Sequence, residues 1–225
     1  MLVRFLGHSS FLVSSTKGST VVLDPFGSNI PYTFPQVQAD VVVISHEHRD
    51  HNAFHRVTGT PVVVKRTTDF IIEHEIPVKR TGETLTFSGI PCFHDNVNGR
   101  RHGPNTMWHW WMEGIHMVHL GDLGHLLSDP QIKLLDKVHV LFLPVGGGSV
   151  LTPTEAALVV NQLNPHMVFP MHFKTSAIEF HGLASDPLES FLTRMDNVEE
   201  LHSMAYEFEL ARLPYRTKIM VLDFE

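Results

Sequence analysis

The stretch VVVISHEHRDHN, residues 41–52, sets an unbroken apolar run against four potential metal ligands within six residues: His46, His48, Asp50 and His51. A continuous β-branched run reads as a strand buried on both faces. Such a strand has no use for imidazole and carboxylate groups at its end unless they serve a ligand. Side chains alternate along a strand, so His46 and His48 are predicted to project the same way and deliver two imidazoles to one point. Asp50 and His51 follow where the chain leaves the sheet and are predicted to turn toward a second point nearby. That arrangement suits two metal ions about 3.5–4 Å apart.

Working outward, further candidates share one context, in which an apolar strand ends and a polar loop opens. His94 follows IPCF, Asp122 follows MVHLG and His172 follows MVFPM. A carboxylate between two cations offsets their repulsion, so Asp122 is predicted to bridge. Cys92 falls on the same strand face as His94 and reads as a buried thiol.

The interleaving of strands and helices indicates an α/β architecture. MLVRFLGHSSFLV reads as a strand pair, STKGST as a hairpin turn feeding TVVLDP, and MWHWWMEGIHMVHLGD as two strands around Glu113-Gly114. LTPTEAALVVNQLNP carries a full helix signature: Thr152 and Glu155 as a capping box, Pro153 in the first turn, Asn164-Pro165 as the stop. Asp129 before Pro130 and Asp186 before Pro187 are predicted to cap two more helices. VVLDP…VVVISH and VHLGD…VLFLPV echo one another, with Asp24 to His46 and Asp122 to Pro144 both spaced by 22 residues. The echo suggests two matched sheets.

Composition bounds the partners. The 225 residues carry a net charge of −7 and 17 histidines, and are read as a single domain, 1–225. The basic residues are scattered, which argues against nucleic acid. No apolar run is long enough to span a bilayer, so a membrane is not expected and a small-molecule substrate is. One cysteine precludes an internal disulfide and makes a reducing cytoplasm the default. The sequence carries no signal for an oligomeric state. Serine-nucleophile chemistry is disfavoured by the lack of a G-x-S-x-G elbow.

The order H-x-H-x-D-H, a later strand-end His, Gly-Asp and a final His resembles the metallo-β-lactamase superfamily. FLGHSSFLV, VVLDP, HLGDLGH, LPVGG and PMHFKT are similar to short metal-dependent hydrolases related to the bacterial ascorbate 6-phosphate lactonase, from about Leu6 to Thr175. The resemblance implies a four-layer αββα sandwich with metals at one edge. It implies His46, His48 and His94 on one metal, Asp50, His51 and His172 on the other, and Asp122 between them. The expected cofactors are two divalent ions, zinc first, with manganese or iron as alternatives. The expected activity is hydrolysis of a lactone or ester, with Asp50 as the catalytic proton carrier. A phosphodiesterase, or a metal-binding sensor or scaffold without activity, is the alternative.

Around this set, His8 in GHSS, Arg101 and Asn105 in the loop 95–106, and Lys174 are candidate substrate contacts. Asp24 and His125 are candidates for orienting a ligand from behind. PVGGGS before the Thr152 helix is a candidate anion cradle. The remaining histidines, His119 and His181 among them, are read as structural or surface.

Overall fold

Apolar alternation builds two packed sheets. The computed structural model describes residues 1–66, 70–178 and 184–224; His181 lies outside them. The N-terminal half gives β1 (Leu2–Gly7), β2 (Ser10–Ser14), β3 (Thr20–Leu23), β4 (Val41–Ile44) and β5 (Val62–Lys65). The middle gives β6 (Ile72–Val78), β7 (Glu83–Phe93), β8 (Pro104–Met112) and β9 (Ile115–His119). Then come α1 (Asp129–Leu135), β10 (Val140–Pro144), α2 (Pro153–Leu163), β11 (Met167–Met171) and α3 (Leu188–Leu192). The chain closes with β12 (Val198–Glu200), β13 (Ala205–Glu207) and β14 (Lys218–Val221). A six-stranded sheet runs β13-β1-β2-β3-β4-β5 and an eight-stranded one β12-β14-β11-β10-β9-β8-β7-β6.

Period-2 patterning decides which face each residue serves. Val41 and Val43 of β4 face between the sheets with Phe142 of β10 and Phe169 of β11. Val42 and Ile44 face outward, as do Leu141 and Leu143 of β10. Phe142 stands at the centre, its ring 4.7 Å from Phe11 and 5.7 Å from Phe169. The helices cover the outside of the eight-stranded sheet through Val159, Val160 and Phe191. Outside the six-stranded sheet the covering layer comes from Phe26, Ile30, Phe34 and Val57. Among the described residues that layer is irregular chain with a 3-10 turn at Phe54–Arg56 rather than α-helix.

The strand pair, the hairpin and the Thr152 helix form where the sequence predicts them, with Thr152 accepting from Glu155 N and Asn164 ending the helix in a left-handed conformation. Two caps differ. α1 is capped by Ser128, not Asp129, because the Gln131 side chain reaches back to the Ser128 N–H and hydroxyl at 3.0 Å. α3 starts after Pro187, with no side-chain cap from Asp186. The internal echo corresponds to equivalent positions in the two sheets. β3 lies parallel beside β4, and β9 parallel beside β10, and each first strand is followed by a buried aspartate, Asp24 or Asp122.

Strand direction assembles the site. β1, β3 and β4 run one way in the first sheet, and β7, β9 and β11 share a direction in the second. The candidate ligands follow the C-terminal ends of these strands. The sheets are tied at that edge by Trp108 Nε1 donating to Ile44 O at 2.9 Å and Thr106 N to Ser45 O at 3.0 Å.

Candidate metal centre

The strand β4 stops at Ile44, so His46, His48, Asp50 and His51 all lie in the bends beyond it. Pleat alternation therefore does not aim the first two histidines; the loop does. His46 Nε2 and His48 Nδ1 still come within 3.0 Å. The loop is held by Gly27 N donating to Arg49 O and Ala53 N to Pro25 O.

The side chains form adjoining clusters. His46, His48 and His94 present ligand atoms within 4.8 Å of one another, and so do Asp50, His51 and His172 together with His8. Asp122 stands between them. Its Oδ2 is 2.9 Å from His94 Nε2, 3.2 Å from both His51 and His172 Nε2, and 3.8 Å from His46 Nε2. The seven predicted ligands are thus brought to one place.

Hydrogen bonds behind the rings set the tautomers. Ser45 Oγ donates to Asp24 Oδ2 at 2.6 Å and lies 2.9 Å from His46 Nδ1, so that Nδ1–H donates to the serine. His51 Nδ1 donates to Asp24 Oδ2 at 3.0 Å, and His94 Nδ1 to Ser149 O at 2.8 Å. In their neutral form each of these rings then turns a bare Nε2 inward. Bare imidazole nitrogens around a buried carboxylate repel one another unless a cation sits among them. His51 Nε2, Asp122 Oδ1 and His172 Nδ1 also meet no hydrogen-bond partner among the described residues. The residues present fit metal ions.

Charge points the same way. Burial pushes the Asp122 carboxyl up, but His172, His51 and His94 outweigh it and hold Asp122 far below the usual carboxylate range. Burial opposes protonation of His51, and Asp122 and Asp50 outweigh it, raising His51 well above a free histidine. The pocket therefore attracts positive charge. Burial and His172 bring His8 down to about 4.

Asp24 is buried and its Oδ2 gathers three donors: the Ser45 hydroxyl, His51 Nδ1, and His119 Nε2 at 2.8 Å. Its placement behind His46 and His51 agrees with the sequence expectation, while the part played by His119 carried no sequence signal beyond residue type. Asn105, expected to touch substrate, is fully buried. Its Oδ1 accepts from Asp122 N at 3.2 Å, and its Nδ2 donates to Leu120 O at 2.8 Å and approaches Cys92 Sγ at 3.1 Å. It shapes the turn that presents Asp122. Gly121 makes that turn possible, since φ is +54° and a Cβ would lie 2.4 Å from Ser45 Cβ. Burial pushes the Cys92 thiol up to about 12.

His125 does not orient a ligand: Nε2 accepts from Phe93 N at 3.3 Å and Nδ1 donates to Leu126 O at 2.8 Å. His8 is buried against Asp50 rather than offered to a substrate, with Nε2 3.3 Å from Asp50 Oδ2. Lys174 is half-buried, its backbone N–H donating to Asp186 O. Arg101 is exposed on a loop that is compact rather than loose. Asp95 accepts from the N–H groups of Val97, Gly99, Arg101 and His102 at 2.8–2.9 Å. Beside it, Arg101, His102, Ser149, Thr152 and Glu155 are among the residues that line a cavity of about 130 Å³, with the His102 ring 5.3 Å from His94.

A family model described as a beta-lactamase superfamily domain matches residues 2–172. The chain belongs to that superfamily. A UPF0173 metal-dependent hydrolase from Thermococcus onnurineus is 25% identical over 224 residues, spanning 88% of this chain and 99% of the relative. Another from Thermococcus kodakarensis is 29% identical over 206 residues, covering 83% and 89%. A crystal structure from Thermotoga maritima, described as a Zn-dependent hydrolase of the metallo-beta-lactamase superfamily, aligns over 100% of this chain and 99% of its own. Its TM-score is 0.78 at 31% identity. This member of the metallo-β-lactamase superfamily is a metal-dependent hydrolase with the two-sheet α/β fold of its relatives. Among its described residues no helix is long and apolar enough to cross a membrane.

Proposed function

We propose that this protein hydrolyses a lactone or ester of a small anionic compound, using two divalent metal ions, in a reducing compartment such as the cytoplasm. The observation that carries the reading is Asp122 Oδ2, which is approached by imidazoles from both clusters. His46, His48 and His94 would hold one ion, Asp50, His51 and His172 the other, and Asp122 both. Zinc suits imidazole-rich sites, and manganese or iron would also be accepted. Bound there, the ions supply Lewis acidity and a water whose pKa falls toward about 7.

The chain's own residues do the rest. Asp24, Ser45 and Ser149 keep the ring nitrogens of His46, His51 and His94 turned inward. The Asp50 carboxylate, in the second cluster, takes the proton released on attack and returns it to the leaving oxygen. An anionic substituent fits the cavity beside His94. There Arg101 supplies the positive charge, while the lining carboxylates of Asp95 and Glu155 are engaged by backbone N–H groups and by Thr152.

The deciding experiment is metal analysis of tag-free protein purified without chelator. About two ions per chain are expected, falling sharply in His48→Ala. A protein that is empty and also refuses added zinc or manganese overturns the reading. For the anion cavity, Arg101→Ala should raise KM for an anionic ester roughly tenfold, the scale of one charge-assisted hydrogen bond, with metal content unchanged. Unaltered kinetics would remove Arg101 from the site.

A further inference from the structure

Asp50 is the one carboxylate of the second cluster that comes from an irregular loop with no strand directly before it. Its Oδ2 has two ring neighbours, His8 Nε2 at 3.3 Å and His51 Nε2 at 3.5 Å. His51 already donates its Nδ1–H to Asp24, so as a neutral ligand it has no proton left for Asp50. His8 has one. It sits at the turn between β1 and β2 with φ at 55°, a left-handed conformation uncommon for a residue with a side chain. Its carbonyl accepts from His172 N at 3.0 Å, which pins the turn to the end of β11. Its ring lies 4.4 Å from that of His172 and 5.2 Å from that of His51. The side chain is fully buried, and Nδ1 meets no partner among the described residues. A carboxylate oxygen can only accept, so the proton between the two groups stands on Nε2, and Asp50 is the acceptor the buried ring meets.

We propose that His8 is a positioning residue for Asp50: it donates Nε2–H to Asp50 Oδ2, fixes the rotation of that carboxylate, and so makes the second cation site selective and tight. This rests on the reading that Asp50 helps hold a second ion. A loop carboxylate free to rotate spends entropy on binding, and one held by a buried donor does not. The effect is specific to the second cluster, because the contacts described for His8 reach Asp50, His51 and His172 but neither His46, His48 nor His94.

The test is stepwise titration of apo-protein with Co²⁺, following the visible absorption of each site. Wild type should bind two ions with distinguishable spectra. If it binds only one, the two-ion reading fails, whatever His8 does. In His8→Phe, which fills the space and removes the donor, the first ion should bind as in wild type. The second should bind about 10–100-fold more weakly with an altered spectrum, the usual range for losing an outer partner of a metal ligand. Glutamine carries its amide nitrogen near the place of imidazole Nε2, and asparagine near that of Nδ1. His8→Gln should therefore restore second-site affinity to within a few-fold, and His8→Asn should not. This pair decides the matter even if His8→Phe fails to fold. Wild-type second-site binding in His8→Phe, or equal binding by the Gln and Asn variants, would overturn the proposal. Failure of glutamine to rescue would overturn it too, and would mean that the imidazole itself is a ligand.

Discussion

Asp122→Ala is expected to lose metal and hydrolysis together while keeping its fold. The Asp122 carboxylate lies against imidazoles from both clusters, so on the proposed two-ion reading deleting it would remove a ligand from each and the negative charge that offsets the cations. Activity should fall by a factor on the order of a thousand or more, as when a principal source of charge stabilisation is removed. The turn itself should survive, because Asn105 holds the backbone N–H of Asp122 and not its side chain. Metal analysis beside near-ultraviolet circular dichroism separates the two effects. Full metal content with retained activity would defeat the bridging assignment.

Asp24→Ala should be the most destabilising single change behind the site. It leaves the Ser45 hydroxyl, His51 Nδ1 and His119 Nε2 without their shared acceptor in a fully buried place. Breaking such a buried charged network costs about 3–5 kcal/mol, or a Tm lowered by roughly 10 °C in a chain of this size. With His46 and His51 no longer held, metal affinity should also drop about 10–100-fold. Acid should mimic part of this. Burial raises the Asp24 carboxyl, yet His119 and then His51 outweigh it and hold it far below its ordinary value. A depressed carboxylate adds stability above the unfolded pKa near 4 and loses it as pH falls further. Asp24→Asn should therefore have a flatter Tm profile than wild type below about pH 5. Parallel profiles would mean that Asp24 is not the charged hub.

The ligand candidates were legible because each occupies the same kind of boundary, the abrupt end of an apolar strand, and because strands running in one direction bring such ends to one edge. The aim of the individual rings was less legible. His46 and His48 converge through loop hydrogen bonds rather than through strand pleat. Asn105 has the composition of a substrate contact and the burial of a backbone prop, a distinction that depends on the register of β8 against β7. His119 looks like any other histidine until the packing of the two sheets sets it against Asp24, and His8, expected at a substrate, is carried by the β1–β2 turn against Asp50 instead. The C-terminal strands escaped sequence reading because three or four residues carry too little alternation to stand out.

Those short strands matter beyond their size. The family match ends at His172, where β11 delivers its imidazole, yet β11 lies inside the sheet only because β14 returns to lie beside it and β12 beside β14. β13 meanwhile pairs with β1, the strand that leads to His8. A chain cut after the matched region would keep every candidate ligand and bare the backbone of two strands, each a template for joining another molecule. The strands β12, β13 and β14 act as a selvedge, finishing both woven edges from which the metal centre hangs.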